Sequence, residues 1–139
     1  MRRLPLAMTT KPRAIAYWLL PETAVREMFA EKIRELARRF ETPLFAPHVS
    51  VFIAPETSRD PAPILHELGA VTIELTIHSI QFSEQFTKTL FVQFERSVAL
   101  QELGDRIWKV SRAPEQYLID PHMSLLRQSG CGEEESLSR

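Results

Sequence analysis

The sequence predicts an α+β fold, with helices packed on antiparallel sheets, and three observations carry that expectation. A stretch Pro47-His48-Val49-Ser50 sits in an apolar frame and returns near the C-terminus as Pro121-His122-Met123-Ser124. Each copy is preceded by a segment whose apolar residues recur at helical spacing. Between the copies lie two alternating segments, residues 71–77 and 89–95, spaced as the arms of a hairpin. Crossovers of this kind, mixed with hairpins, place helices on antiparallel sheets. The expected arrangement is two small lobes with a groove between them.

Taken in order, residues 14–20 form a short apolar and aromatic run closed by Pro21, which predicts a buried strand. Thr23 is the expected N-cap of a first helix, with Val25, Phe29, Ile33, Leu36 or Ala37, and Phe40 as its apolar stripe. Arg38 and Arg39 then fall in its last turn, where they complement the helix dipole and face solvent. Residues 44–54 are expected to carry the first motif on a strand closed by Pro55. Residues 56–63 are rich in Pro, Ser, Thr and charge and read as loop. Residues 62–70 predict a short helix with Ile64, Leu65 and Leu68 apolar and Gly69 as its stop. Residues 71–77 alternate cleanly, and that strand can continue through Ile80 and Phe82. Residues 89–95 are its hairpin partner across 83–88. Ser97 is the expected N-cap of a further helix with Leu100, Leu103, Ile107 and Val110 buried, broken at Pro114. Residues 117–126 are expected to carry the second motif on a strand.

Composition bounds what such a fold does. With 139 residues, 44% hydrophobic and 25% charged, the chain is long enough to bury one core without disulfides or structural metal. A single domain over residues 1–139 is expected, with residues 1–12 and 128–139 as flexible tails. A net charge of −1 gives no bulk attraction to nucleic acid or an anionic membrane, so phosphate recognition has to be local. The apolar run after the basic start is too short for a secretory signal, and no later stretch is long enough to span a bilayer. The lone cysteine, Cys131, points to a reducing compartment, and a cytoplasmic monomer without membrane attachment or obligate protein partner is expected.

The repeated motif carries the chemistry. Side chains two residues apart on a strand share a face, so His48 with Ser50, and His122 with Ser124, each present an imidazole and a hydroxyl together. The remaining histidines, His66 and His78, lack the pattern and read as surface or structural residues. Opening a cyclic phosphodiester requires a base to take a proton from water and an acid to protonate the departing sugar oxygen. Two histidines supply both roles near neutral pH, and two hydroxyls can donate to the nonbridging phosphate oxygens. Two histidines without a carboxylate or thiolate cluster fall short of a metal-ligand set, so neither metal nor cofactor is expected.

Tyr17-Trp18-Leu19-Leu20-Pro21, Phe45 to Val51 around the first motif, and Pro121 to Leu126 around the second resemble the 2H phosphoesterase superfamily. Its signature is two His-x-Ser/Thr motifs, and the nearest resemblance is to the cyclic phosphodiesterase-like branch. The resemblance covers residues 14–127. It implies a bilobal fold of antiparallel sheets with flanking helices around a central cleft, His48 and His122 as catalytic residues, and Ser50 and Ser124 as substrate-binding ones. The implied substrate is a small cyclic nucleotide or an RNA terminus, of the nucleoside 2′,3′-cyclic phosphate or ADP-ribose 1″,2″-cyclic phosphate class. Two departures stand out. The C-terminal part is shorter than in that family, which would leave an exposed sheet edge beside the second motif and make His122 the weaker of the two positions. Arg127 stands where relatives often carry an aromatic residue that stacks on a base. It either contacts a phosphate or ends its strand in solvent. A non-catalytic nucleotide or RNA-end binding module is the alternative reading.

Overall fold

The computed structural model describes residues 14–55, 58–116 and 118–128. The chain is mixed α+β. Its described residues form two small antiparallel sheets and three α-helices, in the order β1 (Ala14–Leu19), α1 (Thr23–Phe40), β2 (Val49–Pro55), α2 (Pro61–Leu68), β3 (Ile77–Phe82), β4 (Leu90–Phe94), α3 (Val98–Ser111) and β5 (His122–Leu126). β1 pairs with β2, and the second sheet has the order β3-β4-β5. Residues 1–12 and 129–139 of the expected tails, with Cys131 among them, lie outside the described residues. Gln128, assigned to the C-terminal tail, instead donates its backbone N–H to the Phe86 carbonyl at 3.0 Å.

One apolar cluster joins the two sheets. β2 contributes Val49, Val51, Phe52 and Ala54, β4 Val92 and Phe94, and β5 Met123 and Leu125, with Leu100, Leu103 and Ile107 of α3 packed over them. β5 also touches β2 and α1 directly, so the two motif-bearing strands meet across the core. Ile33 of α1 and Ile64 of α2, both almost fully buried, pin the remaining helices to this cluster.

Several elements differ from their sequence expectation for identifiable reasons. Both motif strands start late, at Val49 and His122 rather than at 44 and 117. A proline lies just before each histidine, and proline has no N–H to give a ladder. Residues 71–76 keep their alternation, with Val71, Ile73 and Leu75 packed on the core, yet no ladder forms there and β3 begins only at Ile77. Burial pattern and pairing are separable, and the alternation reported only the first. β1 is a strand, but only Tyr17 in it is buried, because its sheet has two strands and leaves it at an edge. In α1 the cap is Glu22 rather than Thr23, without a side-chain cap bond, and Val25 and Phe40 are exposed at the ends of a stripe that buries Ile33 and Ala37. In α2, Leu65 is likewise exposed. Gly69 does close that helix, at φ 69°, a conformation that favours glycine.

α3 follows its sequence most closely. The Ser97 hydroxyl accepts from the Leu100 backbone N–H at 3.1 Å, and Leu100, Leu103 and Ile107 are buried. Leu100 is 1% exposed, so Leu100→Ala is expected to cost about 2–5 kcal/mol by transfer and cavity terms. Val98→Ala, at a position 76% exposed, should cost less than about 0.5 kcal/mol. Urea unfolding of the two variants measures the difference.

Candidate active site

The two motifs repeat in three dimensions as well as in sequence. His48 Nδ1 lies 2.7 Å from the carbonyl of Ala46, and His122 Nδ1 lies 2.9 Å from the carbonyl of Asp120. A carbonyl only accepts, so each Nδ1 carries the proton and each Nε2 is the nitrogen available for chemistry. The proline between donor and acceptor explains the repetition. It holds its own φ and biases the residue before it to an extended conformation, so the carbonyl two residues back is presented at a fixed angle.

A second shared feature follows each serine. Trp18 stands opposite Ser50 and Tyr17 opposite Phe52, which leaves Val51 as an extra residue in β2. Phe91 stands opposite Ser124 and Leu90 opposite Leu126, which leaves Leu125 extra in β5. Each motif strand therefore shifts register immediately after its serine. Such irregularities re-aim side chains and break simple alternation. In β2 the shift lets Val51 and Phe52 both be buried in succession.

The surroundings of the two imidazoles differ. His48 is 6% exposed, with the Trp18 ring stacked on it at 3.6 Å between centroids and 14° between planes. Its Nε2 accepts from Nη2 of Arg127 at 3.3 Å, and the Arg127 guanidinium lies 4.4 Å from the centre of the Phe45 ring. Burial pushes the His48 pKa down from 6.5 to about 4; the Ala46 carbonyl opposes this, while Arg127 and His122 add to it. His122 is half-buried and meets Phe91 edge-on at 5.8 Å. Burial lowers its pKa too, the Asp120 carbonyl raises it, Lys88 lowers it, the Asp120 carboxylate raises it and Arg127 lowers it.

Behind His122, Asp120 accepts from Gln93 Nε2 at 2.9 Å and from Lys88 Nζ at 3.0 Å. Burial raises the Asp120 carboxyl pKa, but those bonds outweigh it and hold the group below its ordinary value. Gln93 also donates to the Pro121 carbonyl at 3.0 Å, so one side chain clamps the loop that presents His122.

The structure thus brings His48, His122 and Arg127 into one electrostatic neighbourhood. Arg127 is not a solvated strand end; it is half-buried against Phe45 and His48. Ser124 is buried, and Ser50 half-buried, with each hydroxyl two residues from its histidine. His66 and His78 are exposed, as their lack of pattern implies. His122 opens β5, which among the described residues pairs with β4 alone and is thus the sheet edge expected beside the second motif, while also packing against α1 and β2. Trp18, Phe45, Lys88, Gln93 and Asp120 were not identified as site residues in the sequence. The only advance signal was position, since Phe45 and Asp120 flank the motifs and Trp18 is the one indole in its apolar run.

Two cavities border the motifs without containing either imidazole. One of about 480 Å³ is lined by Gln93, Asp120 and His78, and another of about 460 Å³ by Phe45, Ala46, Pro47 and residues of α1. Each is lined in part by residues just before one of the histidines. The Nε2 side of His48 is occupied by protein, chiefly the Arg127 guanidinium. Among the described residues no three His, Cys, Asp or Glu side chains form a group able to hold a metal ion, and no helix is long and apolar enough to cross a membrane. No protein-family model matches the chain, and no curated protein matches it.

Protonation and stability are linked here. The unfolded chain takes up a proton at each histidine near pH 6.5, whereas folded His48 resists until about pH 4. The stability that neutral His48 contributes is therefore complete above pH 6.5 and is lost as pH falls toward 4, by about 3 kcal/mol in total. His122 adds a loss of the same sign. Denaturant unfolding between pH 7 and 4 should show this decline, and His48→Gln should flatten it.

Proposed function

We propose that the chain hydrolyses a cyclic phosphodiester, of the nucleoside 2′,3′-cyclic phosphate or ADP-ribose 1″,2″-cyclic phosphate class, by two-histidine general acid–base catalysis. The observation that carries this reading is the doubled geometry. On two strands that touch, a proline-led histidine turns Nδ1 to its own backbone, a serine follows two residues on, and the register then shifts. Each unit delivers one imidazole and one hydroxyl, and a single arginine acts on both imidazoles. The same doubling supports the resemblance to the 2H phosphoesterases and a bilobal arrangement in which each sheet supplies one wall of a cleft.

An anion suits this site. Arg127 and Lys88 both disfavour protonation of His122, and Arg127 and His122 disfavour that of His48. A phosphate would reverse that balance by adding negative charge beside both rings. In the reaction, one imidazole takes a proton from water as its oxygen bonds to phosphorus. The phosphorus–oxygen bond to one sugar hydroxyl breaks, and the other imidazole protonates the departing oxygen, leaving a phosphate monoester. Ser50, Ser124 and Arg127 donate to the phosphate oxygens in this reading.

One observation favours the alternative, a non-catalytic nucleotide or RNA-end binding module. His48 is nearly inaccessible and its Nε2 lone pair is already engaged. Calorimetric binding of a cyclic nucleotide with no monoester formed on long incubation would decide for it.

Purified protein should turn over at least one member of a panel of 2′,3′-cyclic nucleotides and ADP-ribose 1″,2″-cyclic phosphate, with EDTA present. His48→Ala and His122→Ala should each abolish turnover nearly completely. Ser50→Ala and Ser124→Ala should each lower kcat by about 10²-fold or more. Wild-type turnover in either histidine variant would sink the two-histidine mechanism.

A further inference from the structure

The contacts of Arg127 restrict the chemistry of His48 more tightly than those of His122. A guanidinium only donates, so the His48 nitrogen facing Arg127 Nη2 at 3.3 Å is bare. The Ala46 carbonyl requires a proton on the other nitrogen. Together they leave the ring one state, the neutral Nδ1–H tautomer, since a protonated ring would set two donors and two cations against each other. The guanidinium is held for this by the Phe45 ring beneath it. Facing His48 are His122 at the start of β5, Arg127 just after its end, Trp18 from β1 and the Ala46 carbonyl of its own loop. His122 faces Lys88, Arg127 and Phe91, and it alone of the pair has a carboxylate, Asp120, beside it to oppose the lowering of its pKa by burial.

We propose that Arg127 is the positioning residue that makes His48 the base and leaves His122 as the acid, and that it surrenders the His48 lone pair when an anionic phosphate competes for the guanidinium. This deepens the reading above and rests on it. Charge-assisted bonds from arginine to phosphate are about twice as strong as bonds to a neutral acceptor, so the exchange runs toward phosphate. After it, His48 Nε2 is uncovered, its cationic neighbour is neutralised and a negative charge stands beside it. Its affinity for the water proton rises at the moment it is needed. Water then gives its proton to His48 and its oxygen to phosphorus, and the departing sugar oxygen takes its proton from His122.

Histidine-resolved NMR titration of the full chain tests the exchange, using wild type, Arg127→Met and Arg127→Lys, with and without inorganic phosphate. In wild type, phosphate should raise the His48 midpoint. Arg127→Met should raise it by about one pH unit without phosphate, and Arg127→Lys should hold it low. An unchanged midpoint in folded Arg127→Met, or no response of wild type to phosphate, overturns the exchange. If Arg127→Met does not fold, the wild-type response and Arg127→Lys still decide it. The acidic limb of the kcat/KM profile should move with the His48 midpoint across these proteins. A limb that stays fixed while the midpoint moves overturns the assignment of His48 as base. Absence of turnover in wild type removes the catalytic reading itself, and the titration still shows whether Arg127 controls His48.

Discussion

Each imidazole bound through Nδ1 to the carbonyl two residues behind it is the constraint on which the site depends. A buried neutral imidazole needs a partner for its N–H, and here the chain supplies one from its own backbone within three residues. The bond fixes ring orientation and tautomer together, and the intervening proline fixes the carbonyl. Nothing in it depends on distant packing, which is why two strands in different sheets build the same unit. The proline also delays the start of each strand, so both histidines stand at the mouth of a sheet instead of within it.

Packing then decides what those units meet. The extra residues Val51 and Leu125 sit in the shared core, and burying them draws β2 and β5 together. The same closeness leaves little water around His48. Desolvation, the first cause of its lowered pKa, is thus a consequence of the core that aligns the motifs. The site gains definition and gives up ready protonation through one structural feature. Local charges then separate the two rings, with Arg127 against His48 and the Asp120 carboxylate beside His122.

Much of the fold was legible in the sequence because it was written in local signals. Ser97 capping α3, Gly69 ending α2 and the 3.6-residue stripe of Leu100, Leu103 and Ile107 each act within one or two turns. The misplaced strand at 71–77 has a different origin. Alternation records which side chains are buried, but a ladder needs a neighbour in register, and that neighbour lies across the sheet. Likewise Val25, Phe40 and Leu65 fit an apolar helical face, and only the extent of the surrounding sheets left them uncovered.

By itself the sequence determined that two Pro-His-x-Ser units exist, that each aligns a histidine with a serine, and that the fold mixes helices with antiparallel strands. These follow from strand period and proline geometry, which neighbours a few residues away suffice to set. Only the tertiary structure decided that the two units face a common arginine, and that Trp18 and Phe45 belong with them. It also showed an asymmetry at His48, whose lone pair is covered. The physical reason is separation along the chain: His48 and Arg127 lie 79 residues apart, and no local pattern encodes a hydrogen bond that exists only once the core has closed.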